Sequence, residues 1–332
     1  MVEWLDFEST TIRNFPMGDA ARRTFAVYLP PSYSEKNKYP VIFFLPAWGN
    51  KASKYLQDDS VFGLSLQEQF DRGISSNQLA PFIGVFAEAT SKLGSSQFVN
   101  SPSLGHYENY ICDELVNLVD SKYSTYSSGE KRGIMGHSSG GYGALSIGMH
   151  RPDRFQYVAS ASGDSYFEIN LMSAVSSTIQ EIEKAGSIEK FLEQFLSHPN
   201  PGFMGGSKMM AMMMLSLAPC YAPRPNKPPL HGELFFDLKT GEIDPKIWQE
   251  YLEFDPVRMA DRHSENLKKL KFVLLDCGLQ DEYGAQWGHR QLYQKLLQLR
   301  VPCELSEFSG RHSGHNHRFY ERCQKLLRLM TP

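Results

Sequence analysis

Gly136-His137-Ser138-Ser139-Gly140 is a G-x-S-x-G pentapeptide. A serine hydroxyl attacks a carbonyl only when a base removes its proton and its oxygen stands clear of the backbone. A sharp strand-to-helix turn meets the second need, and the flanking glycines leave room for it. The neighbouring residues fit such a turn. RGIM ahead of the motif reads as a short strand, and Ser139 to Met149 reads as an apolar helix that Gly141 and Gly143 let close on the sheet. A phosphate cradle is the competing use of these glycines, but G-x-G-x-x-G fails at Ser146 and no G-x-x-x-x-G-K-[ST] occurs.

A serine nucleophile needs a base and an acid later in the chain, in the order serine, acid, histidine. Strand KFVLLD runs into Cys277-Gly278-Leu279-Gln280-Asp281-Glu282, and strand CELSEF runs into Ser309-Gly310-Arg311-His312-Ser313-Gly314-His315. Loop position favours Asp281 over Asp276 and Glu282. It also favours His312 as the base, with His315 and His317 as its rivals. The oxyanion needs two backbone N–H donors. Ser139 supplies one, and Trp48, in Pro46-Ala47-Trp48-Gly49-Asn50 after strand PVIFFL, supplies the other; Pro46 has no N–H to give. Trp48, His137, Gln97 in the loop Ser95 to Ser101, and Met213 in the run Met209 to Met214 are the substrate-pocket candidates. No cofactor and no metal are required by this chemistry.

These residues need a scaffold. Strand-like runs at Thr24 to Leu29, Pro40 to Leu45, Phe82 to Ala87, Arg132 to Met135, Phe155 to Ala161, Lys271 to Asp276 and Cys303 to Phe308 alternate with helical patterns. Tyr107, Ile111, Leu115 and Leu118 draw one apolar helix face, and Phe319, Cys323, Leu326, Leu327 and Met330 draw another. That alternation predicts an α/β fold with a mostly parallel sheet covered by helices on both faces. The stretch 164–263 breaks the pattern, and the sheet pattern resumes after it. It is expected to be a helical cap-like insertion within a single domain spanning 1–332. The methionine run fits buried helix packing better than an adaptable lid, and Phe235-Phe236 with Trp248, Tyr251 and Phe254 carries the same two readings.

The 332 residues are 41% hydrophobic and 21% charged, ordinary for a chain with a sizeable core. Thirty-four basic against 37 acidic side chains give a net charge of −3 and no basic surplus for nucleic acid. Met1 to Phe7 lacks the basic and apolar regions of a signal peptide, and no run reaches membrane-spanning length. Five scattered cysteines form no CxxC pair. A cytoplasmic setting with no membrane partner is the expectation.

VYLPPSY (27–33), YPVIFFLPAWG, GHYENY (105–110), MGHSSGGYGAL continuing to HRPDRFQYVASASG, DCGLQDEYG and FSGRHS together resemble the esterase family of the α/β-hydrolases that includes esterase D (S-formylglutathione hydrolase), feruloyl esterases and mycolyltransferases. The resemblance covers about residues 20–165 and 265–330. It implies the α/β-hydrolase fold, with Ser138 as nucleophile, His312 as base and Asp281 as acid. The sequence departs from the family at Pro46-Ala47, where His-Gly or Pro-Gly is usual. The expected activity is carboxylester hydrolysis through an acyl-enzyme on a small-molecule ester. Thioester hydrolysis or acyl transfer on the same residues, and a lapsed binding protein on a hydrolase scaffold, are the alternatives. Acyl group, leaving group and any homo-oligomer stay open.

Overall fold

The computed structural model of the chain describes residues 1–57, 63–200 and 205–331. Its centre is an eight-stranded sheet: β1 (Val2–Glu8), β2 (Arg22–Tyr28), β3 (Val41–Leu45), β4 (Ile83–Phe86), β5 (Arg132–His137), β6 (Tyr157–Ala161), β7 (Phe272–Gly278) and β8 (Cys303–Phe308), in the spatial order β1-β2-β4-β3-β5-β6-β7-β8. β1 and β2 pair antiparallel, as do β2 and β4; from β4 onward every pairing is parallel. The chain therefore adopts the mostly parallel α/β architecture that its strand–helix alternation predicts.

Side chains alternate across this sheet with the period of two that strands impose. Ile42 and Phe44 of β3 point into one apolar cluster, and Val41, Phe43 and Leu45 into the other. Helices α1 (Leu66–Ser75) and, at the C-terminus, Arg318–Met330 cover the first face, where Phe44, Phe70 and Phe319 meet. The whole apolar stripe of the terminal helix, from Phe319 to Met330, is buried there. The second face is covered by α2 (Val116–Lys122), α3 (Ser139–His150) and a helix over Ala285–Gln298. The helical run Tyr107–Lys122 that ends in α2 contains a wider turn at Tyr110–Leu115, and it buries Tyr107, Ile111 and Leu115 as their spacing predicts.

Between β6 and β7 the chain leaves the sheet and forms α4 (Val175–Ala185), α5 (Ile188–Ser197), α6 (Gly206–Tyr221), α7 (Pro245–Leu252) and α8 (Pro256–Arg262). The helices over Ala285–Gln298 and Arg318–Met330 then follow as α9 and α10. Residues 201–204 of the expected insertion lie outside the described residues. Apolar side chains of α4 to α8, such as Ile182, Phe191, Met214, Ile247 and Met259, belong to the same core cluster as Val85 and Tyr142 of the sheet region. Phe235 packs on Trp248 and Tyr251, with ring centroids 4.6 and 4.9 Å apart, as interior aromatics.

β1 is the element that the apolar patterning leaves unread. VEWLDFE alternates between half-buried and exposed positions, because it pairs only with β2 at the sheet edge.

Parallel register brings the functional loops to one edge. Leu45 pairs with Gly136, His137 with Ala161, Ala161 with Asp276, and Gly278 with Phe308. The carboxyl ends of β3, β5, β6, β7 and β8 thus stand level, which is where open α/β sheets hold their ligands.

Candidate active site

Ser138 occupies the turn between β5 and α3 with φ 56° and ψ −123°, a conformation that a residue with a side chain rarely adopts. Two backbone hydrogen bonds hold it there: its N–H donates to the Ala161 carbonyl at 2.9 Å, and its carbonyl accepts from Tyr142 N–H at 2.9 Å. Gly140 is required by the turn itself, since a Cβ there would sit 2.3 Å from the Leu45 carbonyl oxygen. β5 runs two residues further than its apolar run indicates, to His137, so the nucleophile candidate directly follows the strand.

Ser138 opens on a cavity of about 450 Å³, within the usual range of roughly 300–1,000 Å³ for small-molecule sites. His137, Trp48, Met213 and His312 also line it. Asp281 stands behind His312: its Oδ2 lies 2.9 Å from His312 Nδ1. Asp281 is itself buried, as is His312. Burial pushes the Asp281 carboxyl up, but the His312 ring, the Ser162 hydroxyl and the Tyr283 amide outweigh that and hold it below the usual carboxylate value. An imidazole tied at Nδ1 to a buried carboxylate keeps Nε2 as its working nitrogen.

The rival acids have other partners. Asp276 is paired with Arg318 and Arg322 beneath the sheet edge. Glu282 accepts the backbone N–H of His312 at 3.0 Å and pairs with Arg311. His315 lines the same cavity but packs on Phe308, with ring centroids 4.6 Å apart, and His317 immediately precedes α10.

His137 contributes in a way that its sequence position does not reveal. Its Nε2–H donates to the His312 carbonyl at 2.7 Å, and the two rings lie 4.8 Å apart. Burial, with the neighbouring His312 ring disfavouring a charge there as well, pushes its pKa down to about 3, so the ring is neutral. Tyr283 places a ring edge-on to His312 at 4.5 Å.

Ser139 directly follows Ser138 at the start of α3, and Trp48 follows β3 and lines the same cavity as Ser138. Among the described residues neither backbone N–H has a hydrogen-bond acceptor, whereas Ala47 N–H donates to Tyr55 Oη at 3.3 Å and Gly49 N–H to Gly94 O at 2.9 Å. The Trp48 indole is fixed by its Nε1–H, which donates to Ser216 Oγ of α6 at 3.0 Å.

Gln97 is a correction. It is fully buried, it does not line the cavity, and its Nε2 donates to Ser139 Oγ at 3.2 Å. Its backbone, with φ 48°, turns the side chain inward under α3, so it supports the elbow from behind. Met213 and Met209 of α6 line the cavity, while Met212 and Met214, on other faces of the same helix, are buried in the core. Asp164, just beyond β6, lines the cavity too and was not among the residues singled out from sequence. No group of three or more His, Cys, Asp or Glu side chains among the described residues is placed to hold a metal ion, and no described helix is long and apolar enough to cross a membrane.

A family profile described as "Putative esterase" matches residues 20–322. The chain belongs to this esterase family. It is 29% identical over 153 residues to an endo-1,4-beta-xylanase/feruloyl esterase of Xylanibacter ruminicola, a match covering 43% of the chain and 20% of that protein. It is 28% identical over 152 residues to an S-formylglutathione hydrolase of Paracoccus denitrificans, covering 41% and 50%. The chain thus spans half or less of the length of these two curated relatives. Among solved structures, a ferulic acid esterase superposes with a TM-score of 0.64 at 17% identity over 99% of this chain and 98% of that one. An S-formylglutathione hydrolase from Staphylococcus aureus superposes with 0.59 at 14% identity over 100% and 99%. These structural likenesses show that the chain has the α/β-hydrolase fold.

Proposed function

We propose that this esterase hydrolyses carboxylic esters through an acyl-enzyme on Ser138, with His312 as general base and Asp281 as its orienting acid. The observation that carries the proposal is the buried Asp281–His312 pair on the wall of the cavity into which the strained Ser138 turn opens.

His312 Nε2 takes the Ser138 hydroxyl proton as Oγ bonds to the ester carbonyl carbon. The carbonyl π electrons move to oxygen, and the Ser139 and Trp48 N–H groups stabilise that oxyanion. Asp281 stabilises the imidazolium without taking its proton. The carbonyl re-forms, the C–O bond to the alcohol breaks, and His312 delivers the proton to the departing oxygen. Water then repeats the sequence: His312 removes its proton as its oxygen bonds to the acyl carbon, the acyl–Oγ bond breaks with the proton passing from His312 to Ser138 Oγ, and carboxylic acid leaves. Met209 and Met213, brought over the cavity from the 164–263 insertion, give that segment the role of a cap that shapes the acyl pocket. Feruloyl esters and S-formylglutathione, suggested by the names of the relatives, belong beside short p-nitrophenyl esters in the substrate panel.

The test is hydrolysis of that panel by wild type and Ser138→Ala. The variant is expected to lose about 10³-fold or more in kcat, with an unchanged melting transition. Turnover equal to wild type overturns the proposal.

A further inference from the structure

Three of the carboxylates around the cavity are spoken for: Asp281 by His312, Asp276 by two arginines, Glu282 by a backbone amide and Arg311. Asp164 is different. Among the described residues no hydrogen bond or ion pair engages its side chain, although it lies on the wall of the cavity beside Ser138. Lys54 is on the same wall and makes no ion pair with it. Burial pushes the Asp164 carboxyl up to about 6, with His312 opposing and Asp281 adding to the rise. It is therefore an anion at pH 7.5, in surroundings that solvate an anion poorly.

Its placement is fixed. The Ser162 N–H donates to Asp276 O at 2.8 Å, and Ser165 N–H to Asn170 Oδ1 at 2.8 Å, so the segment is pinned on both sides of Asp164. Gly163 packs so closely on α3 that a Cβ there would lie 2.7 Å from Gly141 C. The carboxylate is thus presented by a rigid support. The same cavity also offers the Tyr283 and Trp48 rings and the thioethers of Met209 and Met213, which are polarisable surfaces; of the cations on its wall, Arg322 is held by Asp276, and Lys54 makes no ion pair with Asp164. A carboxylate among aromatic and thioether groups is the composition that recognises an organic ammonium ion.

We propose that Asp164 is a specificity-determining residue that binds an ammonium group on the substrate, so that the esterase prefers cationic esters over neutral ones of the same shape. This rests on the serine-hydrolase reading above. The test therefore separates the two.

Two isosteric pairs place the cation on either side of the scissile bond: acetylcholine against 3,3-dimethylbutyl acetate, and p-nitrophenyl 4-(trimethylammonio)butanoate against p-nitrophenyl 5,5-dimethylhexanoate. At pH 7.5 wild type is expected to favour the cationic member of at least one pair by about tenfold in kcat/KM. Asp164→Asn is expected to bring the ratio close to one, and Asp164→Glu to retain part of it. A loss of kcat shared equally by both members, with the ratio unchanged, would mean that Asp164 acts only through His312, and it overturns the proposal. So do ratios near one in wild type for both pairs. A readout independent of turnover is calorimetry with tetramethylammonium on Ser138→Ala: affinity should drop about tenfold on adding Asp164→Asn, and equal affinity in the two proteins also overturns it. Failure of wild type to hydrolyse any of the four esters counts against the hydrolase reading instead, and the calorimetry then decides the cation site alone.

Discussion

The Nε2–H of His137 donates to the backbone carbonyl of His312 at 2.7 Å, joining the residue that precedes the nucleophile candidate to the loop that carries the base candidate. Glu282 holds the same residue from the other side by accepting its N–H at 3.0 Å. His312 is clamped through its backbone as well as through its ring. That bears on catalysis, because a base displaced by a fraction of an ångström loses its alignment with the hydroxyl.

Replacing His137 by Phe keeps a ring but removes the donor. The expected result is a fall in kcat of about tenfold, close to 1.4 kcal/mol of barrier, with KM little changed. Steady-state kinetics on p-nitrophenyl acetate alongside a thermal melt will show it; an unaltered kcat in a folded variant would remove His137 from the positioning network.

His289 gives a stability prediction. Its ring is completely buried, and burial pushes its pKa down to about 4. The unfolded chain binds a proton below about 6.5 that the folded chain refuses, so stability is lost as pH falls from about 6.5 to about 4. His289→Asn should therefore flatten the dependence of unfolding free energy on pH by about 1.4 kcal/mol per unit in that window. Asp164 works with the opposite sign, since its folded carboxyl, raised to about 6, holds a proton that the unfolded carboxyl releases. Urea unfolding at pH 6.0, 5.25 and 4.5 measures both slopes, and identical slopes for wild type and His289→Asn would contradict the assignment of a buried neutral ring.

Gly140 supplies a packing prediction. Its missing Cβ would press on the carbonyl of Leu45, the last residue of β3, from which the Trp48 loop departs. Gly140→Ala should cost about 1–3 kcal/mol of stability and lower activity further by shifting that loop. Chemical denaturation checks the first part, and an unmoved midpoint would show that the strand yields freely.

The sequence made the interior strands legible because they are continuous apolar runs, and β3 and β7 appear within a residue or two of where VIFFL and FVLLD predict them. It did not reveal β1, whose alternation serves a half-exposed edge. The loops that carry Ser138, Asp281 and His312 were legible because each follows a core strand by a few residues, and parallel topology brings those loops to one edge. Gln97 misled for a physical reason: a polar residue in a Ser-rich loop suggests a solvent-facing cleft, whereas its positive φ folds it under α3 to meet Ser139. Asp164 and the backbone role of His137 depend on contacts between segments more than a hundred residues apart, which no local spacing encodes.

The central claim is that the hydroxyl of Ser138 is activated by His312 and can be acylated. Labelling with a fluorophosphonate probe, followed by mass spectrometry of the digested protein, tests it most directly. The account predicts a stoichiometric adduct on the peptide that carries Ser138, absent in Ser138→Ala and slowed at least about a hundredfold in His312→Ala. A folded wild-type protein that stays unlabelled, or is labelled at another serine, would contradict it.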